Sequence, residues 1–211
     1  MTLGHHAAVA VAGFVASTVN ALAGGGAIIN FPTLLSVGLP GVIANATMTV
    51  ATCPGYAGAS WAQRNELKGE GRRIAQLCIV AGAGGLIGGM LLLATGEALF
   101  MRLVPWLILF ACALLLLQEK LRSFGSGHRV IGWLVMFAAA IYGGYFGAGM
   151  SVIVLGAMSL AYAEPLTRLN ALKQCFALAA NAAAALWLAL HAALPWTIVG
   201  TLACGALAGG I

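Results

Sequence analysis

Ala23-Gly24-Gly25-Gly26-Ala27 lies between two apolar stretches, and Phe146-Gly147-Ala148-Gly149-Met150 lies between two more in the other half of the chain. A glycine turn that recurs inside apolar, helix-forming sequence is built like the interrupted helices of transporters, which pair such breaks near the bilayer midplane to bind small ions or solutes. These two turns decide both the fold class and the kind of function.

Composition sets the physical setting. Hydrophobic residues make up 62% of the 211-residue chain, charged residues 7%, and the mean hydropathy is +1.00. Whole windows, Ile74 to Thr95 and Leu103 to Leu117, carry no ionised side chain, which a soluble helix surface would require. The chain reads as an all-α polytopic membrane protein. Met1-Thr2-Leu3-Gly4-His5-His6 lacks the basic start of a cleavable signal, so the first apolar stretch is expected to be a helix of the mature chain. The five cysteines (Cys53, Cys78, Cys112, Cys175, Cys204) stand singly in apolar segments, without disulfide, zinc or redox spacing. No cofactor is expected.

Nine hydrophobic segments follow from the pattern: 3–23, 27–39, 42–63, 73–94, 98–118, 130–146, 150–162, 166–191 and 195–211. The second and seventh are too short to cross about 30 Å of hydrocarbon upright and suit re-entrant pieces. Aligning the halves sets Gly24 and Gly26 on Gly147 and Gly149, Ser36 on Ser159, Asn45-Ala46 on Asn170-Ala171, and Gly84, Gly88 and Gly89 on Gly205, Gly209 and Gly210. This divides the chain into a first membrane repeat (1–121), a cytoplasmic linker (122–129) and a second, C-terminally incomplete repeat (130–211), with one further segment expected beyond it.

If each glycine turn joins a hairpin, each repeat has about five segments and the two repeats lie inverted in the membrane. That topology places Arg64, Lys68, Arg72, Arg73, Lys120, Arg122, Arg129, Arg168 and Lys173 on the cytoplasmic side and only Arg102 outside, as the positive-inside rule asks. The competing topology treats each hairpin as one broken span and moves Arg168 and Lys173 outward.

Each turn opens a short helix, and the first N–H groups of a helix lack internal partners where the dipole is positive. Glycine lets an anion come close to them, which makes Gly24, Gly25, Gly26, Gly147 and Gly149 candidate binding positions, with Asn20 just before the first turn. The alternative is that these glycines serve only the tight turn and close helix packing. In the helix after each hairpin, Asn45, Thr49, Thr52 and Tyr56 recur at i, i+4, i+7 and i+11, and Asn170, Gln174 and Asn181 at i, i+4 and i+11. Two such polar stripes would line a path, or they would bond neighbouring helices and their own backbone. Lys173 adds a cation roughly 12 Å into its helix at the usual rise of 1.5 Å per residue; it serves a substrate path or snorkels to the surface. All five acids (Glu66, Glu70, Glu97, Glu119, Glu164) sit in linkers or at segment ends, so the pattern favours an anion as cargo.

These residues resemble the sulfite exporter TauE/SafE family of membrane transporters. The resemblance rests on Gly13-Phe14, Asn20-Ala21-Leu22-Ala23-Gly24-Gly25-Gly26, Phe31-Pro32-Thr33-Leu34-Leu35, Asn45-Ala46-Thr47, Gly144-Tyr145-Phe146-Gly147-Ala148-Gly149 and Asn170-Ala171-Leu172-Lys173. It implies a permease that moves sulfite, sulfonates or related organosulfur anions, usually outward, across the bacterial inner membrane as a multi-pass protein. One departure is Leu155 where the first half has Pro32. The expected partners are a small anion, the bilayer and a second copy in a homo-oligomer, with no nucleic acid. An intramembrane enzyme is disfavoured, because His5, His6, His128 and His191 lie at edges or linkers and no paired acid exists. A non-transporting scaffold and a permease for another small solute stand as the alternatives.

Overall fold

The computed structural model describes residues 3–22, 25–122 and 128–210. Among them are eight helices and no strand: α1 (Leu3–Leu22), α2 (Ala27–Ser36), α3 (Gly41–Ala62), α4 (Gly71–Arg122), α5 (Arg129–Tyr145), α6 (Met150–Ala161), α7 (Leu166–His191) and α8 (Trp196–Gly210). All nine expected segments are helical, because α4 covers two of them. Its arms, 71–95 and 97–122, meet at Gly96, whose φ of 70° and ψ of 166° break the helix; a positive φ is open to glycine without steric cost. Most of the expected linker, residues 123–127, lies outside the described residues.

The short helices are short in fact. α2 has 10 residues and α6 has 12, roughly 15 and 18 Å of helix at the usual rise. Each is followed by a long helix that starts on a proline, Pro40 before α3 (φ −57°, ψ 150°) and Pro165 before α7 (φ −58°, ψ 145°). Proline presets φ and supplies no N–H, so it suits the residue that turns an extended entry into a helix. α4 over Gly71–Leu117 and α7 over Leu166–His191 are each long and apolar enough to cross a bilayer. Ile79, Leu91, Leu99, Trp106, Leu109 and Leu116 stand exposed along α4, as side chains facing lipid do.

The two halves are packed crosswise. α1 of the first half runs parallel to α8 of the second: His6 Nδ1 meets Thr201 Oγ1 at 3.1 Å, Ala10 faces Gly205, and Phe14 faces Gly209. α5 of the second half runs parallel to the first arm of α4 in the same way, with Gly84 on Ala140 and Gly88 on Ile141 and Tyr145. The inner contacts also exchange. Gly85 of α4 packs on Ala180 of α7, and at the matching place Gly55 of α3 packs on Ala206 of α8. A Cβ on Gly85 would stand 2.1 Å from the Ala180 carbonyl oxygen. Glycine lets the two backbones touch, and in lipid such contact and van der Waals packing replace the hydrophobic effect as the force that joins helices.

Polar groups gather at the two ends of this bundle. At one end Arg73 pairs with Glu70 (3.1 Å) and Glu164 (3.2 Å), and Arg168 pairs with Glu164 (3.3 Å) and Glu70 (3.5 Å), joining the start of α4 to the α6–α7 loop. Arg73 also lies over the Tyr162 ring, 4.6 Å from its centroid. Burial pushes the Tyr162 phenol up, while Arg73 and then Arg129 pull it back. At the other end the Glu97 carboxylate accepts the N–H groups of Gly41 (2.5 Å) and Val42 (2.9 Å), an anion on the positive start of α3 that fixes the Gly96 bend.

The hairpin α1–α2 and the hairpin α5–α6 meet inside. Phe31 of α2 stands edge-on to Phe146 (5.4 Å between centroids) and to Phe100 of α4 (6.1 Å), so one aromatic cluster holds both turns against the second arm of α4. Edge-to-face rings of this kind add to plain area burial.

Candidate functional site

Where the turns meet there is an internal cavity of about 30 Å³, room for about two waters. Both halves wall it. Asn20 comes from α1, Gly26 from the first turn, Thr49 and Thr52 from α3, Gly147 from the second turn and Gln174 from α7. These six positions, read from the sequence as candidates, are brought together. Helical spacing explains why: Thr49, Thr52 and Tyr56 share one face of α3, and Gln174 and Asn181, seven apart, share one face of α7.

The other candidates lie around the cavity rather than in its wall. Gly25 (φ 91°) is buried against Leu115, and Gly149 (φ 80°) against Ala111 and Leu114, so both fit their turns to the second arm of α4. Asn45 is fully buried and its Nδ2 donates to the Tyr145 carbonyl at 2.8 Å, pinning α3 to the second hairpin. Asn170 Nδ2 donates to Gln63 Oε1 at 2.9 Å and to the Ala21 carbonyl at 3.4 Å. Lys173 is 1% exposed and is not among the cavity walls. Successive helical residues point about 100° apart, so Gln174 faces the cavity and its neighbour does not. Gly24 lies outside the described residues.

The backbone is less available than the sequence implies. The N–H groups of Ile28, Ile29 and Asn30 donate back to Gly25 and Gly26 at 3.0 to 3.2 Å, and those of Met150, Val152 and Ile153 to Gly147 and Gly149 at 3.0 to 3.3 Å. Side-chain oxygens of the wall are left unpartnered among the described residues. Gln174 Nε2 donates to the Ala21 carbonyl at 3.3 Å, leaving Oε1 buried; among the described residues it has no hydrogen-bond partner, and neither has Asn30 Oδ1. A buried polar atom without a partner costs free energy unless water or ligand reaches it. The Thr49 and Thr52 hydroxyls already donate within α3, to Asn45 and Met48 carbonyls at 2.9 and 3.0 Å.

Four further polar residues line the wall: Tyr56 and Asn181, which belong to the two polar stripes, and Ser17 and Asn30, which the sequence reading did not single out. Tyr56 and Asn181 close the two polar stripes, and their i+11 spacing was the signal. Asn30, four residues after Gly26 on α2, and Ser17, three before Asn20 on α1, had only their helical register to give them away. Among the described residues no carboxylate and no cationic side chain lines the cavity. Among the described residues no cluster of His, Cys, Asp or Glu could hold a metal.

A protein-family model described as sulfite exporter TauE/SafE matches residues 9–211. A probable membrane transporter protein of Haemophilus influenzae is 32% identical over 146 residues, 67% of this chain and 57% of its own length. The chain thus spans little more than half of that relative. No solved structure matches.

Proposed function

We propose that this chain, which belongs to the sulfite exporter TauE/SafE family of membrane transporters, is a permease for small oxyanions of the sulfite and sulfonate class in the bacterial inner membrane. The observation that carries the reading is the cavity where two glycine turns from different halves converge, walled by amides and hydroxyls and, among the described residues, by no carboxylate. An uncharged polar wall takes an anion without the cost of desolvating a buried counter-charge. Gln174 Oε1 is an acceptor, which suits the hydroxyl of a monoprotonated oxyanion or a water carried with the anion. At about 30 Å³ the cavity has room for about two waters, less than a sulfonate with an organic tail needs.

Screening the purified full-length protein by thermal shift should give stabilisation with sulfite, and none with sodium or divalent cations paired with an inert anion. A shift that tracks the cation and ignores the oxyanion would replace the anion reading with a cation carrier. No shift with any small solute would favour a scaffold.

The inverted topology is part of the same proposal. It is supported by the ion pairs that gather Glu70, Arg73, Glu164 and Arg168 at one end, the end the charge rule makes cytoplasmic. In a cysteine-free background, a cysteine at Lys68 should be shielded from an impermeant thiol reagent in intact cells and one at Gly96 should react. The reverse labelling would overturn the orientation.

A further inference from the structure

The seam between the first arm of α4 and α5 opens outward as a groove. Gln76, Ile79, Val80, Arg129 and Trp133 line about 410 Å³ of it, shallow and open to the outside, and a similar open space of about 400 Å³ shares Val80, Arg129 and Trp133 and runs on to Leu134 and Phe137. Beyond it on the same seam a third hollow of about 400 Å³ lies between Leu91 and Thr95 of α4 and Ile141, Tyr142 and Tyr145 of α5. From Gln76 to Thr95 the helix rises roughly 28 Å, the length of an extended acyl chain and its glycerol.

The polarity of this groove is graded. Arg129 and Gln76 stand exposed at the end of the bundle that carries the Glu70–Arg73–Glu164–Arg168 cluster, whereas the walls further along are Val, Leu, Ile and aromatic side chains. Arg73 and Arg168 are engaged with carboxylates, but Arg129 has no ion pair among the described residues. Trp133, four residues after Arg129, packs edge-on to Tyr162 at 6.5 Å, a pair of the residue types enriched in the headgroup layer. A cation at the rim and a greasy bed below it match one kind of occupant.

We propose that this groove binds a phospholipid with an anionic headgroup from the cytoplasmic leaflet, its phosphate on Arg129 and one acyl chain along the α4–α5 seam. The assignment of the leaflet rests on the topology proposed above, while the site itself does not depend on the anion cargo. Because α4 packs on α7 next to the cavity and α5 carries the second turn, an occupied groove would brace both elements that reach the cavity.

Native mass spectrometry of the full chain, loaded with equal amounts of phosphatidylglycerol and phosphatidylcholine, tests this. The parent should retain phosphatidylglycerol in preference, and Arg129→Gln should lower that retention about fivefold, the worth of one arginine near an anionic lipid surface. Val80→Trp, which fills the bed and leaves the charge, should lower retention of phosphatidylglycerol as well. Arg102→Gln, at the other end of the bundle, should leave it unchanged. Equal retention of the two lipids by the parent, or unaltered retention by Arg129→Gln, would overturn the site. Retention lost equally in Arg102→Gln would show a diffuse charge effect and overturn it too. Thiol labelling that reverses the orientation would move the lipid to the other leaflet without touching these outcomes.

Discussion

Gln174→Leu is expected to remove the thermal stabilisation that sulfite gives, while the protein still folds into the membrane. Gln174 is fully buried and lines the cavity, its amide reaches the Ala21 carbonyl of α1, and its Oε1 has no hydrogen-bond partner among the described residues. Leucine keeps the volume and also removes the unpaired oxygen, so the loss of one hydrogen bond is partly offset. Binding should fall by about 1.5–3 kcal/mol, the range for a hydrogen bond to a charged group, or about ten- to a hundredfold. Thr52→Val makes the informative contrast. Its hydroxyl already donates to the Met48 carbonyl, so its loss should change anion affinity little. Equal effects of the two substitutions, read as thermal shift against sulfite concentration, would mean that the cavity wall has no directional preference.

Gly85→Leu is expected to have the largest effect on folding. A Cβ there would stand 2.1 Å from the Ala180 carbonyl oxygen, and helix backbone cannot yield as a flexible side chain does. Overpacking a well-fitted core costs about 1–3 kcal/mol, and here the displaced element is a whole membrane helix, so the upper end applies. The variant should run as aggregate on size exclusion in detergent or unfold at a clearly lower temperature. Gly200→Leu is the control, since nothing lies within 4 Å of a Cβ at that position. A Gly85→Leu protein with the parent's thermal midpoint would contradict the close crossing of the two halves.

The fold was largely legible because its signals are local. Apolar segments marked every helix, and the gap between the segments 73–94 and 98–118 fell on the Gly96 bend in α4. The crosswise packing was not legible. Which glycine stripe meets which alanine stripe is a choice between distant segments of similar composition, and no spacing within one helix encodes it.

Helical register led to residues in the cavity wall, and single residue types led to residues beside it. The stripes led to Thr49, Thr52 and Gln174, and the turns to Gly26 and Gly147. Charge pointed to Lys173, which the fold buries one residue away from the cavity face. Glycine pointed to Gly25 and Gly149, whose positive φ and tight neighbours serve the turns themselves. Gly26 carries a packing duty as well, because a Cβ there would stand 2.3 Å from the Ala16 carbonyl oxygen. A valine at that place would therefore part α1 from α2, so loss of binding in such a variant reads on the hairpin and not on the anion alone.

Anion flux through the reconstituted protein tests the central claim most directly. Liposomes containing the full-length protein and loaded with sulfite should release it faster than protein-free liposomes, with release saturating in sulfite and lost in Gln174→Leu. Release that matches protein-free liposomes, or that persists unchanged in Gln174→Leu, would contradict a path for small oxyanions through the cavity between the two glycine turns.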